Sequence, residues 1–248
     1  MSPTRYVLGI DLGTSACKVT LVDSRGKNAG EARESYPTLS PKPGWAEQNP
    51  ADWIRAVTKA VHRLMKESLA TPDSVAGIAL TSAAHIGALL DDRGKPVRPA
   101  ILWNDQRTTA EVADLERKAG PEILESTCQA VSTGWTLPHL LWIRRHDPAA
   151  WKRTRSILLS KDFLGQWLTG SAVTDPGTAV SSMLYDVRTR TWSPRLCELA
   201  GIEPGLLPRI VVASDQAGTL TSDAARRLGR RERNPDGLMA RDHRADSG

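Results

Sequence analysis

A carboxylate, a turn of small residues and a cation follow one another near the beginning of the sequence. Asp11 ends one apolar run, residues 12–16 read L-G-T-S-A, and Lys18 lies in the next run. Such a turn offers backbone N–H groups and two hydroxyls without bulk, and a concavity of this kind suits a phosphate. Because hard cations take oxygen ligands, Asp11 is a candidate Mg²⁺ ligand that would help to position the phosphate. The candidate phosphate contacts are Gly13, Thr14, Ser15 and Lys18.

An ordinary hairpin with a glycine turn explains the same residues, because D-x-G-T is a short pattern. The stretch is not a Walker loop, since the pattern G-x-x-x-x-G-K-[ST] is absent and no helix is predicted directly after the glycine. The residues alone therefore leave a phosphate-binding turn and a plain hairpin both open.

A single histidine lies in a turn of small residues between two apolar stretches, 75–81 and 88–91, that predict strands. Neutral imidazole both donates and accepts a hydrogen bond, which suits the hydroxyls of a polyol. His85 and the preceding Ala84 are therefore candidate sugar contacts. The alternative is a structural role, which a lone histidine has more often.

The segment 99–108, P-A-I-L-W-N-D-Q-R-T, places polar groups directly after an apolar run. Ligands collect at the C-terminal ends of strands in α/β sheets. Trp103 offers a flat wall to the carbon face of a sugar, and Asn104 and Asp105 can bond sugar hydroxyls. Asp105 also fits the N-cap of a helix predicted over 106–119.

Several secondary-structure elements must position these residues. Residues 6–22 predict a hairpin, and residues 29–36 predict a weaker third strand. Asn49 is a predicted N-cap, followed by a helix over 50–70. Gly120-Pro121 should end the helix that begins at residue 106. Later predicted elements are a helix over 137–145, a strand that leads into a helix over 157–168 with Lys161 and Asp162 as a structural pair and cap, and a strand over 210–214.

Three of these stretches resemble one protein family. I-D-L-G-T-S-x-x-K-V resembles the first phosphate loop of the FGGY carbohydrate kinases, which belong to the actin-like ATPase superfamily. R-P-A-I-L-W-N-D-x-R and G-W-A-E-Q-N-P-x-D-W resemble the xylulokinase branch of that family. The resemblance runs from about Tyr6 to about Leu228. In xylulokinases the turn around His85 ends in Met-His-Gly, whereas here Ala84 replaces the Met and Ile86 is inserted before the Gly.

The resemblance implies an α/β fold of the actin-like ATPase, or ribonuclease-H-like, type. Its central sheet should be mixed, with the first three strands antiparallel and helices on both faces. The implied reaction is ATP-dependent phosphorylation of a ketopentose, D-xylulose above all, or of a related polyol, with Mg-ATP as the cofactor. The implied sugar contact of the family falls on His85.

Composition and charge narrow the class of protein. Of the 248 residues, 40% are hydrophobic and 25% are charged, which is ordinary for a soluble globular protein. The net charge of +5 is spread along the chain without an aromatic-plus-basic motif, so no nucleic-acid partner is predicted. Three widely spaced cysteines predict neither disulfides nor a zinc site. With no signal pattern and no membrane-spanning run, a cytoplasmic protein is expected.

The resemblance predicts a domain over residues 1–228, and residues 229–248 read as a charged, disordered tail. The second domain of the family, with the general base and the adenosine site, is expected to be missing, so the chain alone should be inactive or nearly so. A non-catalytic sugar-binding or regulatory module is the alternative. The cleft that a second lobe would cover makes a homodimer plausible.

Overall fold

The computed structural model describes residues 5–229, and a mixed four-stranded sheet lies at the centre of this part. The strands follow the order β3-β2-β1-β5, with β1–β2 and β2–β3 antiparallel and β5 parallel to β1. This arrangement confirms the mixed sheet whose first three strands are antiparallel. The strands are β1 (Tyr6–Leu12), β2 (Ala16–Asp23), β3 (Asn28–Ser35) and β5 (Val75–Ser82).

Alternation along the strands gives this sheet one strongly apolar face. On β1 that face carries three buried side chains, Leu8, Ile10 and Leu12. Helix α1 (Pro50–Glu67) packs on β2 and β3, and the Asn49 side chain caps it by accepting the Ala51 N–H, as predicted. Helix α5 (Ser160–Thr169) packs on β5 and also contacts α1, so both helices cover the same face.

The opposite face carries half-buried to exposed side chains within residues 5–229. Val7 is 45% exposed there, and Asp11 and Lys18 lie on the same side. The α/β class and the mixed sheet are confirmed, and α1 and α5 cover one face of that sheet in the described part of the chain.

The second half of the described chain packs around its own apolar cluster. Its helices are α2 (Thr109–Thr127), α3 (Thr136–His146), α4 (Pro148–Arg153), α6 (Pro176–Ala179), α7 (Pro194–Ala200) and α8 (Ser222–Arg227). This second cluster is distinct from the first apolar cluster, which lies between the central sheet and the helices α1 and α5, and α8 packs with the first. Short strands pair two by two: β4 (Glu47–Gln48) with β7 (Ala100–Ile101), β6 (Gly87–Leu90) with β8 (Ser156–Leu159), β9 (Val173–Thr174) with β12 (Arg209–Ile210), and β10 (Tyr185–Asp186) with β11 (Thr191–Trp192).

Helix α2 corrects two predictions. It begins at Thr109 with Thr108 in the N-cap position, so Asp105 is not the cap. It also continues through Gly120-Pro121 to Thr127. The residues Leu115, Ala119 and Ile123 form a buried stripe along it. Their burial in the second cluster stabilises a helix that local propensity would have ended.

Two further local predictions are only partly met. Lys161 forms a salt bridge with Asp175, the N-cap of α6, and acts on its neighbour Asp162 as a nearby charge. Asp162 lies buried in the first turn of α5, whose N-cap, Leu159, makes no side-chain cap bond. The strand expected over 210–214 is the two-residue β12.

The predicted tail, 229–248, lies outside the described residues except for Gly229. Among the helices of residues 5–229, none has the length and apolar character needed to cross a bilayer.

Candidate functional site

The parallel pairing of β1 with β5 brings the hairpin turn beside the His85 turn. Asp11 lies opposite Thr81, and Leu12 lies opposite Ser82, at the carboxyl ends of both strands. Just beyond this point the Ala83 N–H donates to the Leu12 carbonyl at 2.8 Å. The predicted phosphate turn and the predicted sugar contact therefore leave the sheet at the same edge.

The hairpin turn directs its carbonyls into the protein. The Tyr36 hydroxyl donates to the Gly13 carbonyl, and the Gln48 side-chain amide donates to the Thr14 carbonyl at 2.7 Å. No acceptor within residues 5–229 takes the N–H of Thr14 or of Ser15. These two N–H groups and the two hydroxyls are thus the donors that the turn can offer to an anion.

Position 13 has little space for a side chain. A Cβ there would lie 3.1 Å from the Ala16 carbonyl oxygen, which also accepts the Gly13 N–H at 3.1 Å. A side chain would press on the bond that closes the turn.

Asp11 and Lys18 are cross-strand neighbours on the open face of the sheet. The Lys18 ammonium lies 2.9 Å from Glu31, with both side chains about half exposed. An exposed pair of this kind contributes little to stability, so a phosphate could compete for the lysine. Within residues 5–229, no group of three or more acidic, histidine or cysteine side chains is placed so that it could hold a metal ion by itself. One carboxylate at the mouth of a phosphate turn fits Mg²⁺, which usually takes most of its ligands from water and phosphate.

His85 is held in a strained backbone conformation. Its φ is 67°, a value that non-glycine residues seldom adopt and that often marks functional sites. Three contacts hold it there. Its N–H donates to the Ser181 hydroxyl at 3.4 Å, its Nδ1 lies 2.8 Å from the Ser181 carbonyl, and its own carbonyl accepts the Thr136 hydroxyl at 2.9 Å.

These contacts also set the chemistry of the imidazole. A carbonyl only accepts, so Nδ1 carries the proton and Nε2 is left with the lone pair. Burial lowers the pKa of His85, and the bond to Ser181 offsets this only in part. The Trp135 ring packs edge-on at 3.9 Å between centroids. His85 is therefore a neutral acceptor suited to a sugar hydroxyl.

The residues on either side of His85 differ in exposure. Ala84 is exposed, whereas Ile86 is buried in the first apolar cluster. The inserted residue thus adds to the core, and the alanine leaves more room beside the imidazole than a methionine would.

The Trp103 loop reaches the hairpin turn directly. Its indole N–H donates to the Thr14 hydroxyl at 3.1 Å, and the Trp103 side chain is 47% exposed. Asn104 is exposed next to it. Gly134 packs so closely on this loop that a Cβ would lie 2.3 Å from the Trp103 carbonyl oxygen. The strand before the loop is the two-residue β7, which pairs with β4 and delivers Trp103 and Asn104 just beyond its C-terminal end.

Asp105 does not have the exposed position that a direct sugar contact requires. It is 0% exposed, and its carboxylate accepts the Ala46 N–H at 2.6 Å and three hydrogen bonds from Arg107. Burial opposes its ionisation, but these hydrogen bonds hold the pKa of Asp105 below its usual range. We therefore correct the predicted role: Asp105 supports the loop that presents Trp103 and Asn104.

Sequence reasoning missed the residues that hold the site from behind. Ser181 and Thr136 lie 96 and 51 positions from His85, and no local pattern connects them. Gln48 lies inside the stretch G-W-A-E-Q-N-P, so the resemblance marked its neighbourhood without a role. Trp135 is different, because the loop-like stretch 128–135 had marked it as a candidate wall of the sugar pocket, and its ring does pack on His85.

Residues 6–244 match the model of the N-terminal domain of the FGGY family of carbohydrate kinases. The chain is 36% identical over 222 residues to a xylulose kinase of Lactococcus lactis and 36% identical over 225 residues to one of Bacillus subtilis. These alignments cover 90% and 91% of this chain but only 44% and 45% of the relatives. The chain thus spans less than half the length of these two relatives.

Solved structures of two kinases share the fold of this chain and are likewise about twice its length. A xyloylose kinase from Brucella ovis superposes with a TM-score of 0.83 at 36% identity over 88% of this chain and 46% of that one. A xylulose kinase from Rhodospirillum rubrum superposes with a TM-score of 0.88 at 29% identity over 96% of this chain and 49% of that one.

Proposed function

Because the chain belongs to the FGGY family of carbohydrate kinases, we propose that it forms the sugar-binding and phosphate-binding lobe of an ATP-dependent kinase. The acceptor we propose is a ketopentose, with D-xylulose first, since the similar proteins named above act on xylulose by their names. The observation that supports this most is the hydrogen bond from Trp103 to Thr14. It joins the two half-sites, which are the predicted phosphate turn at residues 13–15 and the predicted sugar contacts around Trp103 and His85.

Mg-ATP is the proposed cofactor, and the residues present fit it. Phosphoryl transfer depends mainly on positioning and on stabilising charge, and Mg²⁺ when bound neutralises the charge of the phosphates. Asp11 would hold the ion, directly or through water. The N–H groups of Thr14 and Ser15 would donate hydrogen bonds to the phosphate oxygens, and Lys18 would meet the phosphate as a point charge.

On the sugar side, each residue has a distinct role. The indole of Trp103 would pack on the carbon face of the ketose. The Nε2 lone pair of His85 would accept a hydroxyl hydrogen, while the amide of Asn104 can both donate and accept. Because His85 is held on both sides of its backbone, it would meet the sugar without first being ordered.

The decisive experiment separates binding from turnover. We expect calorimetric titration of this chain to show binding of D-xylulose that weakens strongly in His85→Asn, with Leu69→Ala, an almost fully exposed position, as the unaffected control. If no pentulose binds to the folded chain, the proposed acceptor is wrong.

We further propose that this chain alone turns over slowly, because it matches less than half the length of the kinases it resembles. A coupled assay of ADP release measures this. Release that depends on D-xylulose at an ordinary enzyme rate would overturn slow turnover, whereas binding without release would favour a sugar-binding module. The predicted homodimer is measured separately by sedimentation velocity.

A further inference from the structure

The two residues of β4 contact opposite halves of the candidate site. Successive side chains of a strand point to opposite sides. Glu47 reaches the loop that carries Trp103, and Gln48 reaches the phosphate turn at Thr14. The backbone around β4 is bonded to the same loop, since the Leu102 N–H donates to Ala46.

On one side, Glu47 joins a buried ionic cluster. Its carboxylate lies 2.6 Å from Arg107 and 2.7 Å from Arg98, and Arg107 in turn pairs with Asp105 at 2.7 Å. The four side chains are between 0 and 8% exposed. The Trp45 ring lies 3.7 Å from the Arg107 guanidinium carbon, which adds a cation–π contact. Breaking a buried pair leaves an uncompensated charge, so the cluster strongly favours one geometry of the loop.

On the other side, Gln48 is fixed by three hydrogen bonds. Its Nε2 donates to the Thr14 carbonyl at 2.7 Å and to the Thr38 hydroxyl at 2.9 Å. Its Oε1 accepts the indole N–H of Trp53 at 3.0 Å. Because an indole only donates, this bond fixes which end of the amide faces Thr14.

We propose that β4 is a clamp that sets the position of the phosphate turn relative to the Trp103 loop, with Glu47 and Gln48 as positioning residues. The identity of the ligands rests on the proposed function. A transfer reaction depends on the relative position of these two parts, because misplacing reacting groups by about 1 Å can cost roughly 100-fold in rate. Thr14 is held twice, at its carbonyl by Gln48 and at its hydroxyl by Trp103.

The first test uses the full chain without ligand. Gln48→Glu keeps an acceptor for Trp53 but replaces the donor facing Thr14 with a carboxylate oxygen. Arg107→Lys removes the fork that joins Glu47 to Asp105. Amide exchange at Gly13, whose N–H donates to the Ala16 carbonyl and closes the turn, is measured by NMR together with the indole N–H signal of Trp103, in each variant and in the double variant.

A clamp predicts that each variant acts on both half-sites. We expect Arg107→Lys to speed amide exchange at Gly13 roughly tenfold, although no hydrogen bond joins the two residues, and Gln48→Glu to shift the Trp103 indole signal. The double variant should show less than the sum of the two effects. Purely local effects that add within error would overturn the clamp.

Two controls keep this test interpretable. Ile143→Val, in the second apolar cluster, lowers stability without touching β4 and should leave both signals unchanged. If Arg107→Lys does not fold, Glu47→Gln keeps the size of the side chain and takes its place in the double-variant comparison.

Titration with D-xylulose then separates the clamp from the proposed ligand. If the two variants are non-additive but no pentulose binds, the clamp is supported and the proposed ligand is wrong. If the variants are additive and the pentulose binds, the proposed ligand is supported and the clamp is wrong.

Discussion

The indole N–H of Trp103 and the hydroxyl of Thr14 lie 3.1 Å apart, although 89 residues separate them in the chain. One belongs to the loop that the sequence predicts as a sugar wall, and the other belongs to the predicted phosphate turn. Their hydrogen bond places the predicted phosphate turn and the predicted sugar wall in direct contact.

Trp103→Phe tests this contact, because it keeps an aromatic wall but removes the donor. We expect D-xylulose affinity to fall several-fold, corresponding to about 1 kcal/mol, with little loss of stability since the side chain is half exposed. Calorimetric titration and thermal denaturation measure the two quantities. Thr14→Val removes the same bond from the other side, so the double variant should lose little more than either single one. Unchanged affinity in both single variants would contradict the role of the bond.

The neutral state of His85 predicts how sugar binding depends on pH. Burial holds the pKa of His85 below its usual range, so the imidazole stays neutral at and above neutral pH. Affinity for D-xylulose should therefore be constant there and should fall only in acid, where protonation removes the Nε2 acceptor. Titrations across a series of buffers measure this.

His85→Asn serves as the control for this pH dependence, because asparagine tolerates a positive φ better than most residues. We expect it to bind the sugar at least about tenfold more weakly, with a flat pH profile. An acid-sensitive profile that persists in His85→Asn would assign the titration to another group.

Elements with local signals could be predicted from the sequence, and elements stabilised by distant packing could not. The β1–β2 hairpin has a glycine turn, and α1 has the Asn49 cap, so both were confirmed. Pro121 is a local stop signal, yet α2 passes through it because its apolar stripe is buried in the second cluster.

The same distinction applies to the site. The turn at residues 13–15 and the segment around Trp103 carry their chemistry in consecutive residues, so the candidates could be named. The burial of Asp105 depends on Ala46 and Arg107, and the strain at His85 depends on Ser181. Such contacts arise only when the chain has folded, and no spacing in the sequence encodes them.

Asp162 predicts a second pH effect, on stability. Burial raises the pKa of Asp162 to about 7, and the nearby Lys161 offsets this only in part. An unfolded aspartate ionises near pH 4, so the folded protein binds the extra proton between about pH 4 and about pH 7. The stabilisation from this group is thus fully present below that window and is lost as pH rises through about 7.

Asp162→Asn should remove this dependence. We expect the stability of the variant relative to the unsubstituted chain to rise with pH across the window, by on the order of 4 kcal/mol at most. Urea denaturation at several pH values measures the difference. Asp92→Asn, in an exposed turn, should give a flat difference. A flat difference for Asp162→Asn as well would mean that its carboxyl titrates normally.

Two glycines offer a matched pair for the last prediction. A Cβ on Gly120 would lie 2.7 Å from the carboxylate of Glu116, whose exposed side chain can move away. Gly120→Ala should therefore stabilise α2 by roughly 1 kcal/mol through helix propensity. A Cβ on Gly134 would lie 2.3 Å from the backbone oxygen of Trp103, which cannot move without shifting the Trp103 loop.

Gly134→Ala should accordingly cost about 1–3 kcal/mol of stability and weaken D-xylulose binding, whereas Gly120→Ala should leave binding unchanged. Thermal denaturation and calorimetric titration of the two variants measure both effects. Because the two substitutions are chemically identical, a difference in binding isolates the contact with Trp103 from any general effect of an added methyl group. Equal affinities in the two variants would show that the close approach of Gly134 to the Trp103 loop has no bearing on the sugar site.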